Sequence, residues 1–331
     1  CETAPSALDP GTHPGSSPST HKGEMVRHRT RYARVGRTGR IAKKVEADVS
    51  LNQKEEDMPI IPGLMTYSYH LSFPEGKMTS ERLMARITEL NLKSAEWCHF
   101  PCHQPDKVDW EQVDLLDRLG RERGITNSVA GFAPLLARGN ERQQMLDMVR
   151  TQLEVSKRIG AKRMRFHGMT ELELGIGVRP PLEVCLENLK RIVELGEEYA
   201  IVLALENHMD FRTADFGYFF AHIDSPFFRI NLDTGNHLPL FEDVIAFARE
   251  FSDRIVSCHL KGIHFVWKDY GAVLTSCKPE NSLVHLSSIL DILNRSPQNV
   301  ETHIEVVAME STDEDVLVGD YARFLQEQTV I

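Results

Sequence analysis

No apolar run in these 331 residues approaches the ~20 needed to span a membrane as a helix, and nothing reads as the apolar core of a signal peptide. These absences point to a soluble protein with no membrane partner, expected in the cytoplasm. Six cysteines, Cys1, Cys98, Cys102, Cys185, Cys258 and Cys277, are irregularly spaced and few for the length, so they read as free thiols and not as a disulfide framework. No G-x-G-x-x-G follows the first predicted strand, which argues against a dinucleotide-binding turn. A basic surplus is missing where a nucleic-acid-binding body would need one. The formal charge is −10, and residues 58–331 hold 28 Lys/Arg against 40 Asp/Glu. That body suits metal cations better than phosphate polymers, and no nucleic acid is expected on it.

What is present divides in two. Residues 1–57 form an extension whose first twenty, CETAPSALDPGTHPGSSPST, have hardly any large apolar side chain to offset ordering entropy, and disorder is expected. From His21 to Lys44 the extension turns basic; an RNA or anionic-membrane contact or a transit peptide would use such charge, but a solvated tail accounts for it more simply. The chain begins at Cys1, and Met58, directly before the first strand, reads as a sensible start of the folded unit.

Residues 58–331 alternate strand and helix without a break. Strands are expected at 61–70, 92–100, 125–133, 161–168, 201–208, 228–237, 255–263 and 300–307. Thr79 reads as a helix N-cap, and Pro180 and Pro181 as the first turn of a helix reaching Tyr199. Helices are also expected at 110–123, 141–159, 214–222, 241–251, 282–294 and 313–328. Eight such units in this length predict an α/β fold, a (β/α)8 TIM barrel, more than an open doubly wound sheet.

The pattern is sharpest from Leu203 to Lys261, where LALENH, INLDTGNHL and VSCHLKG each run from apolar residues into charged or imidazole ones. Buried parallel strands look like this where they leave the core. Glu206, Asp233 and His259 then sit at strand ends, as does Glu305 in THIEVV, at intervals of 27, 26 and 46 residues, each compatible with one or more β/α units. Eight of fourteen histidines, His70, His99, His103, His167, His208, His237, His259 and His264, fall at the same end, the face that carries catalysis in such barrels. Three carboxylates and one imidazole make an oxygen-rich donor set, suited to one divalent ion: Mn²⁺ first, with Mg²⁺ or Co²⁺ as alternatives. Glu301 and Glu310 stand near enough to Glu305 to compete for its place. The thiols and imidazoles of CHFPCH (98–103) match neither a standard zinc pair nor a haem motif. The long stretch after the seventh strand, with Trp267 and Tyr270, reads as a lid, a contact in a homo-oligomer, or a surface excursion.

ALENH, LDTGN and HLKG, in this order and near this spacing, resemble the sugar phosphate isomerase/epimerase family, the xylose isomerase-like barrels that include ketose 3-epimerases and inosose dehydratase. The resemblance covers residues 58–331 and implies metal ligands at Glu206, Asp233, His259 and Glu305, with Glu206 and Glu305 as the acid/base pair. Where many relatives carry His three residues after the strand-six Asp, this chain has Asn236, with His237 next to it. A small carbohydrate is the implied substrate. His167, His208, Asn236, His237 and Lys261 are candidates to bind it. The implied chemistry is removal of a proton next to a metal-polarised carbonyl. Its return to the opposite face gives an epimer, and loss of a β-substituent gives elimination by a lyase or dehydratase on a 3-keto sugar or inosose. An endonuclease IV-like repair enzyme shares the barrel, but no Asp-x-His pair occurs here. A non-catalytic sugar-binding barrel would hold metal and ligand without exchanging protons.

Overall fold

A computed structural model of the chain describes residues 59–98, 107–269, 271–309 and 312–329. The expected disordered extension, residues 99–103 of CHFPCH, Tyr270 and Glu310 lie outside them. The apolar runs flanking the LALENH, INLDTGNHL and VSCHLKG motifs are strands closed to solvent over nearly their whole length: β5 (Val202–Glu206), β6 (Phe228–Asp233) and β7 (Ile255–Leu260) in chain order. Burial on both faces is why they show no polar alternation. Before them run β1 (Ile60–Met65), β2 (Ser94–Trp97), β3 (Thr126–Phe132) and β4 (Arg163–His167). After them come β8 (Ile263–Lys268), β9 (Gly271–Ser276) and β10 (Val300–Ile304). Eight strands pair in parallel in the closed order β1-β10-β7-β6-β5-β4-β3-β2, the expected TIM barrel, while β8 and β9 make a separate antiparallel hairpin.

The helices outside this ring start and stop where local chemistry directs. α1 (Ser80–Glu89) begins at Thr79, whose hydroxyl accepts from the Arg82 amide at 3.3 Å. Asp109 caps α2 (Trp110–Arg123) in the same way at 3.0 Å, and Gly124 ends it at φ 64°, a conformation that favours glycine. α3 (Gly139–Arg158), the short α4 (Thr170–Leu174) and α5 (Leu182–Tyr199) follow. Then come α6 (Thr213–His222), α7 (Val244–Glu250), α8 (Leu286–Leu293) and α9 (Glu314–Thr329). α5 shows why they pack: Leu186, Leu189, Ile192 and Val193 recur at helical spacing and are all buried. Truncating one such leucine to alanine costs about 2–5 kcal/mol.

Several boundaries differ from the sequence reading, each for a visible reason. The first strand stops at Met65, and Thr66–Tyr69 form a 3₁₀ turn. There the Ser68 hydroxyl donates to the Ile304 carbonyl at 2.8 Å and accepts from the Val306 amide at 3.0 Å, joining the turn to the strand beside it. β6 ends at Asp233 because Asp233 Oδ1 accepts the amides of Gly235 and Asn236, at 2.7 and 3.1 Å, which turns the chain. The helix expected from residue 241 starts at Val244 instead, after Asp243 caps the amides of Ile245 and Ala246. Pro181 occupies the N-cap position of α5, with Leu182 its first residue. β7 gives way to the hairpin at Gly262, where a Cβ would collide with the Tyr321 hydroxyl and where that oxygen accepts the Gly262 amide at 2.6 Å.

Candidate metal centre

Glu206 and Asp233 are the last residues of β5 and β6; His259 is next to last in β7, and Glu305 directly follows β10. Register brings them level. Asp233 pairs with His259 and His259 with His303, and the Glu305 amide donates to the Leu260 carbonyl at 3.2 Å. From His259 Nδ1 the distances are 3.7 Å to Glu206 Oε1, 3.8 Å to Asp233 Oδ2 and 3.2 Å to Glu305 Oε2. The sequence therefore singled out four residues that the fold brings together, every one buried.

The donors fit a divalent ion. Oxygen and nitrogen ligands about 2.0–2.2 Å from one cation stand about 3–3.6 Å from each other; ligand atoms of Glu206, Asp233 and His259 lie within 4.8 Å of one another, while Glu305 reaches His259 at 3.2 Å from outside that mutual set. Glu206 Oε2, Asp233 Oδ2 and Glu305 Oε2 are buried and are met by the protein's own cations, Arg165 and Lys261, while His259 Nδ1 faces the three acids. The other face of the imidazole is occupied: His259 Nε2 lies 2.9 Å from Glu96 Oε1, from β2 across the lumen. A carboxylate there fixes Nε2 as a protonated nitrogen and turns Nδ1 toward the three acids, where a metal would displace the Nδ1 proton.

The protein's own cations are threaded among these acids. Lys261 Nζ lies 2.8 Å from Asp233 Oδ2 and 3.1 Å from Glu305 Oε2, and Arg165 Nε lies 2.7 Å from Glu206 Oε2. Asn236 Nδ2 donates to Glu206 Oε1 at 2.9 Å, and its Oδ1 accepts from Lys261 at 3.3 Å. Burial would raise the Glu206 carboxyl, but Arg165 and then His259 outweigh it and hold it below the usual range. For Glu305 burial is likewise overcome, by Lys261 and then His259. Burial would lower Lys261 and His259, yet the surrounding carboxylates lift both well above their ordinary values. Both glutamates are thus held ionised.

Other residues singled out from the sequence are placed differently. His167 and His208 lie side by side, ring centroids 4.7 Å apart, near the Glu206 end of the centre. His237 is fully buried behind β6, accepting from Asn207 at 2.9 Å through Nδ1 and packing on Phe247 at 4.6 Å. Burial pushes its imidazole down to about 4, so it stays neutral. Glu301 pairs with Arg163 at 3.4 Å. His70 stacks on Tyr67, and His264 lies on the hairpin. Glu96, Arg165 and His303 were missed. The signal for Arg165 was present: Arg163, Arg165 and His167 alternate along β4, which puts three polar groups on one side of a strand that should be apolar. Glu96 had only its place in a buried strand to betray it.

No curated protein sequence matches the chain. Among solved structures, D-allulose 3-epimerase from Methylomonas sp. in complex with D-allulose superposes with a TM-score of 0.62 at 12% identity, covering 82% of this chain and 98% of that one. 3-Keto-D-glucoside 4-epimerase from E. coli gives 0.61 at 12% identity, covering 82% and 100%. A xylose isomerase-like TIM barrel protein from Mycobacterium smegmatis in complex with magnesium gives 0.58 at 13% identity, covering 82% and 97%. Likeness at these identities is one of fold. The family model of the xylose isomerase-like TIM barrel matches residues 84–326, well over half of the chain, and this protein is a member of that family.

Proposed function

We propose that the protein is a divalent-metal-dependent isomerase or epimerase of a small sugar or keto-sugar, with Glu206, Asp233, His259 and Glu305 as ligands and Glu206 and Glu305 exchanging the proton. One observation carries the reading: three carboxylates converge on His259 Nδ1 at 3.2–3.8 Å while Glu96 holds the opposite nitrogen. The family and its structural neighbours, sugar epimerases and isomerases by name, agree with it. A bound Mn²⁺, Mg²⁺ or Co²⁺ supplies polarisation of the substrate carbonyl and stabilises negative charge on its oxygen.

The chain's own groups do the rest. One glutamate removes the proton beside the carbonyl and the other, after taking up a proton from solvent, delivers it to the opposite face. Lys261, held between Asp233 and Glu305, is the group placed to follow charge as it grows on a substrate oxygen, which frees Glu305 to be the stronger base. Asn236, bonded at once to Glu206 and Lys261, fixes both and takes the place of the histidine many relatives carry. His167 and His208 keep 20% and 22% of their side chains exposed and offer an edge to a substrate hydroxyl.

The test is to incubate metal-loaded full chain in D₂O with ketoses and 3-keto glycosides and follow deuterium at the carbon next to the carbonyl. Exchange with formation of the epimer is the expected result. Loss of a β-substituent would place the chemistry with lyases, binding without exchange would indicate a silent sugar-binding barrel, and nicking of abasic DNA would indicate repair.

A further inference from the structure

Beside the centre, at the ends of β4 and β5, four further groups face one another. His167 closes β4, His208 lies two residues past the end of β5, Asp210 follows in the loop to α6, and Glu171 is in the first turn of α4. His167 Nδ1 is 4.0 Å from Glu171 Oε1 and 3.9 Å from Asp210 Oδ2; His208 Nδ1 is 3.4 Å and 3.7 Å from the same two atoms. All four atoms lie within 4.8 Å of one another.

The imidazole–carboxylate separations, 3.4–4.0 Å, are longer than ordinary hydrogen bonds. N–H···O bonds run about 2.7–3.2 Å, and His167 Nδ1, His208 Nδ1 and Glu171 Oε2 are buried without a hydrogen-bond partner among the described residues. Leaving such groups unpaired is costly, so a cluster of three asks for an explanation. Asp210 meanwhile is locked: Oδ2 accepts the Gly168 amide at 3.0 Å, and Oδ1 accepts the Thr170 hydroxyl at 2.8 Å and the Glu171 amide at 3.0 Å. Those bonds hold Asp210 and the start of α4 in place around the two rings. A tetrahedral ion with bonds of about 2.0–2.1 Å separates its ligand atoms by about 3.3 Å. The imidazole–carboxylate separations exceed that by up to about 0.7 Å, and side-chain adjustment about the ion would have to close the difference.

We propose that His167, Glu171, His208 and Asp210 form a second cation site, separate from the first, that selects Zn²⁺. Two imidazoles and two carboxylates suit Zn²⁺ and disfavour Mg²⁺ or Ca²⁺, whereas the first centre, with three carboxylates and one imidazole, is the harder of the two. The rings bind through Nδ1, which leaves the exposed edge of each to the cavity.

The test uses the reduced full chain stripped by chelator, loaded with Zn²⁺ and freed of excess metal, with Zn²⁺ per chain measured by mass spectrometry. Wild type, H167Q/H208N and D233N/H259Q are compared. H167Q/H208N is expected to hold one equivalent fewer than wild type, and D233N/H259Q to keep that equivalent. Co²⁺ added to D233N/H259Q should give the intense visible bands of a tetrahedral centre, without the near-ultraviolet thiolate band that cysteine ligation produces. Equal Zn²⁺ in wild type and H167Q/H208N would overturn the proposal. So would Co²⁺-loaded D233N/H259Q lacking those bands, a result that decides even where H167Q/H208N does not fold. Loss of one equivalent from D233N/H259Q relative to wild type reports on the first centre alone, whereas loss of all bound Zn²⁺ from it would overturn the proposal.

Discussion

Replacing Glu96 by Gln removes one negative charge while nearly preserving shape, and it strikes the proposed metal centre without touching a proposed ligand. Glu96 Oε1 is 2.9 Å from His259 Nε2, and Oε2 is 3.3 Å from His303 Nδ1. Both rings and the carboxylate are fully buried or nearly so. A hydrogen bond to a charged group contributes about 1.5–3 kcal/mol net, against about 0.5–1.5 for a neutral one. The amide oxygen of E96Q still accepts from His259, so the loss is the difference, about 1–1.5 kcal/mol, before counting the lower basicity of Nδ1. That converts to about a tenfold weaker metal affinity, at the lower edge of the 10–100-fold typical of such outer partners. A chelator-buffered Mn²⁺ titration of wild type and E96Q measures it directly. Turnover at limiting Mn²⁺ should fall with the loaded fraction and largely recover at saturation. Affinity within twofold of wild type would refute the assignment of His259 as a ligand held by Glu96.

Other outcomes follow from the same contacts. K261M leaves Asp233 and Glu305 without their ammonium; metal-free protein should lose about 3–5 kcal/mol in urea unfolding, as for a broken buried pair, and Mn²⁺ should restore more stability to it than to wild type. His237 is held neutral by burial, its value lowered from 6.5 to about 4. Unfolded chain therefore binds the extra proton first: the contribution is full above about pH 6.5 and is lost as pH falls through 4, about 3 kcal/mol in all. Acid unfolding of H237Q should be flatter over that window, and a curve parallel to wild type would count against it. Tyr321 Oη accepts the Gly262 amide and donates to the Cys277 carbonyl at 2.8 Å; Y321F should cost about 1–3 kcal/mol in thermal unfolding with metal stoichiometry unchanged. N236A removes a bond to the Glu206 carboxylate, and kcat/KM for the substrate found by exchange should drop about tenfold or more.

Much of this was legible in the chain itself. The ring and the four converging side chains could be read because buried parallel strands are continuous apolar runs, so a charged residue at the end of one stands out: Glu206 after LAL, Asp233 after INL. What stayed hidden depended on distance across the lumen. Nothing near Glu96 announces that it meets His259, 163 positions away. His237 shows the opposite failure. It sits beside the motif and reads as a site residue, yet the turn made by Asp233 Oδ1 on the amides of Gly235 and Asn236 sends Asn236 to Glu206 and His237 into the core. Proximity in sequence says little where a turn assigns neighbours to opposite sides. The 3₁₀ turn at Thr66–Tyr69 escaped for a related reason, since TYSY suits a strand and only contact with β10 makes it turn.

Glu96 also changes what kind of object the barrel is. The four proposed ligands come from β5, β6, β7 and the end of β10, one arc of the circle, while Glu96 and Arg165 reach in from β2 and β4 on the other. A cation gripped by the first arc is therefore braced by the second. Loosening β2 should slacken the grip from the far side of the circumference, and seating the ion should tighten strands that never touch it.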